Sequence, residues 1–527
     1  MPSPYDVIVI GAGPNGLTAA AYLARSRLNV LIIDRNSDVG GGVWTEEITL
    51  PGHKHNTHAN FFVNLINNPV YRDLQLAHYG AQAIMPDCNT GAAFKDGTAV
   101  VLHRDIDVTV RSLARLSEKD ARTYRALYEK FGRTMGRVLA SLSYNPPLPL
   151  DDLRKMIRGD LGEEFIRFST MTMYDAVDEN FEDERVRTFL KLVIHSFQYD
   201  NDPMTGGALP RLIALINTLC LVRGGAANLA KSFKKVIVEN GGSVWTGRHV
   251  DRILVKDGRA LGVILSDGSV VEARKAVVSA VDFPQTVRMA GEENWDSEIV
   301  QKARGWKWGL QSLLVLHLAL REPPDYISSK TEPLINQTFN IYFGVDDSRE
   351  LEENHRQLKS GQLPEKPAGN SACNTLFDPS YAPAGQHVAF WWPHAPFRIA
   401  GGGWDELKGR YGDYLLGVWS EYAPNLKASL LAKTSYSPLD TFRHSISMGE
   451  GSVHLGAYIP DQMGINRPHP MLSNYRTPIA GLYLAGSTSY PGGSVSFAPG
   501  YNCVNVLLDD LGMQKWFTPM PKPEWGG

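Results

Sequence analysis

Gly11, Gly13 and Gly16 stand at G-x-G-x-x-G spacing directly after the apolar run Val7-Ile8-Val9-Ile10, and an acid, Asp34, closes a second apolar run, Leu31-Ile32-Ile33. Residues of these types in this order bind an anionic dinucleotide. Gly11 permits a tight turn out of a buried strand, Gly13 lets the backbone approach a pyrophosphate, and Gly16 lets the following helix lie close to the sheet. The phosphates would meet Pro14 and Asn15 in the first turn of that helix, where unpaired N–H groups and the helix dipole both favour negative charge. Asp34 can accept from both ribose hydroxyls and disfavours a 2′-phosphate, which argues against a phosphorylated nicotinamide. A βαβ unit must position these groups. Apolar periodicity predicts a first strand ending at residue 10, a helix over 17–25 and a second strand over 29–33.

A second glycine cluster follows at once, in Arg35-Asn36-Ser37-Asp38-Val39-Gly40-Gly41-Gly42-Val43-Trp44. It resembles the second glycine signature of the two-dinucleotide-domain flavoproteins, the amine oxidase and phytoene desaturase group, and within it the branch related to phytoene dehydrogenase. The resemblance implies FAD as the cofactor, with Arg35, Gly41, Gly42 and Val43 beside it. Gly42 stands where most of the group carries an Arg, so one cation expected at the phosphates is missing. Arg223-Gly224-Gly225-Ala226-Ala227-Asn228 is similar to the group's Arg-Gly-Gly segment, where a helix begins beneath the cofactor, and Val250 takes the position whose backbone clasps the adenine. Near the C-terminus, Leu482-Tyr483-Leu484-Ala485-Gly486-Ser487-Thr488 and Pro491-Gly492-Gly493-Ser494-Val495 resemble the final FAD motif. There Gly486 and Ser487 would meet ribityl and phosphate groups, and Gly493, Ser494 and Val495 would approach the ring. The next helix would aim its N-terminus at the flavin pyrimidine, where its dipole stabilises the anion formed on reduction. Phe377-Asp378-Pro379-Ser380-Tyr381-Ala382-Pro383 resembles a turn of the phytoene desaturases rather than of the monoamine oxidases.

The resemblance spans nearly the whole chain and implies an α/β fold: a Rossmann-like FAD-binding domain with a discontinuous α+β substrate domain that contains a mixed sheet and a helical cap. Residues 1–85, 221–289 and 471–527 would form the FAD domain, 86–220 the helical cap, and 290–470 the substrate sheet. Within the cap, Ser117 and Asp120 have the form of an N-cap and its acidic partner, and Tyr124, Leu127, Tyr128, Phe131, Met135 and Val138 follow at helical spacing. Residues 165–219 read as further helices. In the second insert, 311–320 and 386–392 read as strands, and Asp257-Gly258 and Asp267-Gly268 read as hairpin turns.

At 527 residues and 43% hydrophobic, the chain can bury the cores of about two to four domains. A net charge of −3 with dispersed Lys and Arg argues against a nucleic-acid surface. Cys88, Cys220, Cys373 and Cys503 are isolated, which fits a reducing compartment and implies neither a disulfide framework nor a zinc site. The first strand begins within about five residues of Met1, leaving no room for a targeting peptide, and no apolar stretch reaches the roughly twenty residues of a membrane span. The expected location is the cytoplasm, with peripheral membrane contact through an apolar patch left open, as is a homo-oligomer.

Catalytic candidates are fewer. Pro51 to Phe61 follows the glycine cluster at the distance where relatives bring the chain to the flavin face, and His58 or Thr57 there could orient a substrate or relay a proton. His53, His55 and His58 have no acidic or Cys ligands beside them, so no metal is expected. His317 interrupts an apolar strand and could face the cavity, and Tyr501 and Asn502, with Phe497 as a wall, could reach the ring. No lysine matches the one that amine oxidases place near flavin N5. The family resemblance implies an FAD-dependent oxidoreductase that desaturates, reduces or isomerises a C–C bond of a small apolar substrate, with oxygen, a quinone or a protein as acceptor. Two alternatives stand beside it: an amine or C–N oxidase on the same fold, and a flavin-bound interaction protein with little turnover.

Overall fold

Val7-Ile8-Val9-Ile10 is apolar at every position because its strand, β1 (Tyr5–Ile10), is covered on both faces. Val7 and Val9 face one core cluster and Ile8 and Ile10 another, as the two-residue period of a strand requires. In the computed structural model, which describes residues 4–132, 134–156, 159–197, 199–203, 205–309 and 312–522, β1 lies between β2 (Val30–Ile33) and the long strand Val270–Ser279, parallel to both. Ser243–Trp245 extends the parallel sheet beyond β2, and Leu482–Leu484 extends it on the other side. Ile10, Ile33, Ser279 and Leu484 therefore end at one edge, the edge at which open parallel sheets bind ligands. The first half of Val270–Ser279 pairs instead with the antiparallel hairpin Val250–Lys256 and Arg259–Leu265. Asp257 and Gly258 turn that hairpin with φ of 51° and 71°, the left-handed pair that a two-residue hairpin needs.

Helix α1 (Pro14–Arg25) covers one face of the sheet together with the helices Ala227–Glu239 and Ala498–Asp510. The contact is close: a Cβ on Gly500 would lie 2.3 Å from the Asn15 carbonyl oxygen. The first turns of two helices are thus pressed together at the carboxyl edge of the sheet.

A second, mixed sheet runs in the order Leu430–Tyr436, Val315–Leu320, His387–Ala395, Gly369–Cys373, Asn340–Phe343, Cys88–Ala93, Ala99–His103. One face packs on the helix Trp404–Tyr422 through Trp391, Trp419 and Phe343, and the other packs on helices between residues 106 and 215. Gln311, the expected start of one strand, lies outside the described residues, as do 523–527; the strand itself is Val315–Leu320, preceded by Ser312–Leu313. The segment after residue 86 is not helical from its start. It opens with the hairpin Cys88–Ala93 and Ala99–His103, turned at Gly97 with φ of 82°. The helical stripe from Tyr124 to Val138 occupies two helices, Glu118–Phe131 and Thr134–Ser143. The Ser117 hydroxyl caps the first by accepting from the Asp120 N–H at 3.1 Å, while the Asp120 carboxylate receives the N–H groups of Glu182 and Asp183 and ties that helix to the next. Among the described residues, no helix is long and apolar enough to cross a membrane.

Candidate active site

A long cleft follows the carboxyl edge of the parallel sheet and continues towards the second sheet. Gly11, Gly13, Pro14 and Asn15 form its floor. Gly13, at the N-cap of α1, has ordinary φ and ψ of −74° and 176°, and a Cβ added there would meet nothing within 4 Å, because it would point into the cleft. Gly16 is the reverse case: its Cβ would lie 1.9 Å from the Gly11 carbonyl oxygen, so this glycine is what allows α1 to sit against the turn. Asp34 closes one end. Its Oδ2 accepts from the Ala12 N–H at 2.6 Å and its Oδ1 from the Asn36 N–H at 2.8 Å, leaving further lone pairs towards the cleft. Burial raises its pKa, and those two N–H groups and Arg35 pull the other way.

Arg35, Gly41, Gly42 and Val250 line the same end, together with Arg248 and His249. The Gly40 N–H donates to the Ala12 carbonyl at 2.9 Å, which lays the second glycine cluster against the first. Val43 turns inward and is buried in the core, so it supports this loop without lining the cleft. On the opposite wall, Ser487, Gly493, Ser494 and Val495 line the cleft, and the Asn15 amide donates to the Ser487 hydroxyl at 2.9 Å. Gly486 packs behind them, its Cβ position 2.1 Å from the Val281 carbonyl oxygen. Ser494, Val495 and Phe497 all have positive φ, of 70°, 52° and 64°. Left-handed backbone at a β-branched residue is strained, and strain of this kind persists where a site holds it.

Whether these residues suit FAD can be tested on the atoms they leave unpaired. Gly13 leaves open space where a pyrophosphate would come close, and the buried Asn15 Oδ1 has no hydrogen-bond partner among the described residues. The cation missing at Gly42 has a counterpart nearby. Arg467 is 0% exposed and has no carboxylate partner among the described residues; it donates to the carbonyls of Ser487, His454 and Gln462 at 3.1–3.2 Å and lies over the rings of Tyr458 and Trp306. Its charge sits directly behind two cleft residues, Ser487 and His454. An uncompensated buried cation favours an anion in the adjoining space. The residues fit the cofactor: the floor and Asp34 would hold its adenosine and phosphates, and the 487–495 wall its ring end.

Past the glycines the wall changes character. Phe61, Val63, Phe197, Leu313, Tyr342 and Trp392 line this part, and His58 stands at its start. The Ala59 N–H donates to the Gly42 carbonyl at 2.9 Å, which fixes the His58 segment against the glycine loop. His58 is 4% exposed; its Nδ1 is 3.0 Å from the Thr57 hydroxyl, and its Nε2 has no partner among the described residues. Burial, aided by neighbouring His444, holds its pKa well below the ordinary value, so His58 is neutral. Thr57 acts through His58 and does not line the cleft.

Two candidates fall elsewhere. Tyr501 does not reach the cleft: three residues into its helix, its ring faces α1 and packs on Tyr22, Tyr144 and Phe517, and its hydroxyl accepts from the Met520 N–H. Asn502 is also turned away, donating to the Tyr475 hydroxyl and the Ser143 carbonyl. His317 is buried inside the second sheet with its ring 5.0 Å from that of His55; neither of its nitrogens has a partner among the described residues, and it does not line the cleft. His53, His55 and His58 diverge, bonding to Pro51, Thr49 and Thr57 respectively. Among the described residues the one group close enough to hold an ion is His195, Asp200 and His355. Both ring nitrogens of His195 are already engaged, by the Tyr199 carbonyl and the Tyr174 hydroxyl. His444, His454 and Arg467 were not foreseen. They arrive from loops more than four hundred residues after the first glycine, and nothing in their local sequence marks them.

Residues 9–75 match the sequence profile of the NAD(P)-binding Rossmann-like domain. Over 97% of its length the chain is 32% identical to a limonene dehydrogenase polypeptide of Castellaniella defragrans, covering 96% of that protein. It is 28% identical to pyridine nucleotide-disulfide oxidoreductase domain-containing protein 2 of Rattus norvegicus, over 96% of this chain and 94% of that one. Among solved structures, an oxidoreductase from Methanosarcina mazei superposes with a TM-score of 0.63 at 17% identity, covering 95% of this chain and 99% of the other; that likeness is one of fold. With relatives matched end to end and a cleft that suits FAD from Asp34 to Val495, the chain belongs to the phytoene-desaturase-related family of FAD-dependent oxidoreductases.

Proposed function

We propose that this enzyme moves a hydride and a proton across a C–C bond of a compact lipophilic or alicyclic molecule, in the direction of desaturation. The observation that carries this reading is the passage of the cleft, beyond the glycine walls, into an aromatic and aliphatic lining with neutral His58 at the junction. FAD bound there supplies the hydride acceptor, at N5 of its ring. Phe61, Val63, Phe197 and Trp392 hold the hydrocarbon and exclude water. His58 Nε2 is the group that holds or passes the proton, with the Thr57 hydroxyl setting its tautomer through Nδ1. A neutral imidazole suits this task, since a cation at the same place would oppose proton uptake.

Two results follow. Incubation with cyclic alkanes and alkenes, followed by mass analysis, is expected to give products two mass units lighter; peroxide released from amines in place of such products would transfer the reading to C–N oxidation. His58→Gln is expected to keep its flavin and lose turnover by about 10²- to 10⁴-fold, the range for removing a positioned acid–base group. Turnover within about twofold of the parent would remove His58 from the chemistry.

A further inference from the structure

A second chamber of about 300 Å³ adjoins the cleft, within the size range that holds small-molecule ligands. Val63, Phe197, Gly493 and Ser494 line both spaces, so the chamber opens at the ring end of the cofactor site. Leu139, Ile194, Leu212, Leu215 and Met463 make its wall apolar. Most of its polar groups are already bonded to the protein: the Tyr490 hydroxyl donates to the Leu142 carbonyl, and the Asn68 amide donates to the Tyr144 hydroxyl and the Ser496 carbonyl.

Arg211 is the exception. It lies on the helix Ala208–Leu215 and is the one Lys, Arg, Asp or Glu among the described residues lining the chamber. Its half-buried guanidinium has neither an ion pair nor a hydrogen bond among the described residues. Tyr199 and Tyr458 stack beside one another on the same wall with centroids 5.6 Å apart, and Arg467 lies behind Tyr458. A fork of five N–H donors in an apolar, acid-free chamber is suited to a planar anion, which it can hold in two parallel hydrogen bonds.

We infer that Arg211 recognises a carboxylate at the far end of the substrate, whose hydrocarbon portion extends past Phe197 and Gly493 into the cleft. The substrate class is then a compact lipophilic monocarboxylic acid rather than a plain hydrocarbon. This rests on the proposed function for which carbon reacts, but the binding itself can be measured without turnover.

Purified holoenzyme is titrated with decanoate and cyclohexylacetate and with the methyl ester of each, following the flavin difference spectrum and the shift in melting temperature. The acids are expected to bind at least about tenfold tighter than their esters, the scale of one charge-assisted pair. Arg211→Met abolishes that preference with flavin content unchanged, and Arg211→Lys, which keeps the charge without the fork, retains part of it. Equal binding of acid and ester, no binding of either acid, or a preference that survives in Arg211→Met overturns the inference. Flavin that is reduced by neutral hydrocarbons, with no preference for acids, would sink the inference and leave the proposed function standing. Tight acid binding to a flavin that no C–H donor reduces would do the opposite.

Discussion

Gly13→Val is expected to fold and to leave purification without flavin. The two halves of that expectation come from separate observations. Gly13 has backbone angles open to any residue, and its Cβ direction is empty of protein, so a valine strains nothing in the apoprotein. The same direction is the cleft floor, where close backbone approach to a pyrophosphate depends on there being no side chain. Flavin affinity should fall by about 100-fold or more, read from the visible absorbance of the purified protein, while circular dichroism and the melting temperature of the flavin-stripped form stay near the parent's. Gly16→Ala provides the contrast: its methyl group would meet the Gly11 carbonyl oxygen, and the protein should lose stability whether or not flavin is supplied. A flavin-replete Gly13→Val would place the cofactor elsewhere.

Acid should unfold this protein early. Burial lowers His55 and His394 to about 3 and His454 to about 4, with His58, His195 and His317 also held well below the ordinary value. A histidine whose folded pKa is lowered contributes its full stability above the unfolded pKa of about 6.5, and loses it as pH falls, because the unfolded chain takes up a proton that the folded one refuses. Each such group loses about 1.4 kcal/mol per pH unit, so His55, His394 and His454 alone remove about 6 kcal/mol between pH 6.5 and pH 5. Asp282 works in the opposite sense. Burial raises its carboxyl to about 6, so its protonation favours the folded state as pH falls, offsetting about 1.5 kcal/mol over the same interval. A net loss of about 4 kcal/mol is a large part of the 5–15 kcal/mol typical of a folded protein. The melting temperature should fall steeply below pH 6.5, and a flat profile from pH 7.5 to pH 5 would mean that these rings are hydrated or charged in solution.

The cofactor half of the site was legible because its chemistry acts through the backbone. The positions of Gly11, Gly13, Gly16 and Asp34 follow from a strand, a turn and a helix adjacent in sequence, and the local pattern carries the geometry. The hairpin Cys88–His103 carried its own signal in Asp96-Gly97 between apolar runs, but the helical stripe after Ser117 dominates the pattern of that segment. Tyr501 was misplaced for a different reason. Its spacing from Gly493 suits the ring, but which side of a helix faces a ligand depends on the helix it packs against, here α1 through Tyr22. Arg467 and His444 were out of reach of any local pattern. Arg467 is held by backbone carbonyls, whose positions no residue type announces, and His444 meets the site through the carbonyl of Gly41, 403 residues away in the chain.

The central claim is that a flavin in this cleft takes hydride from a lipophilic C–H donor, and the visible spectrum of the purified holoenzyme under anaerobic conditions tests it most directly. Alicyclic and long-chain compounds, an amine panel and NADPH are added in turn. Bleaching of the flavin by a lipophilic C–H donor, with formation of its desaturated product and no response to amines or NADPH, is the predicted result. A protein purified without flavin, or a flavin bleached only by amines or NADPH, would contradict the account.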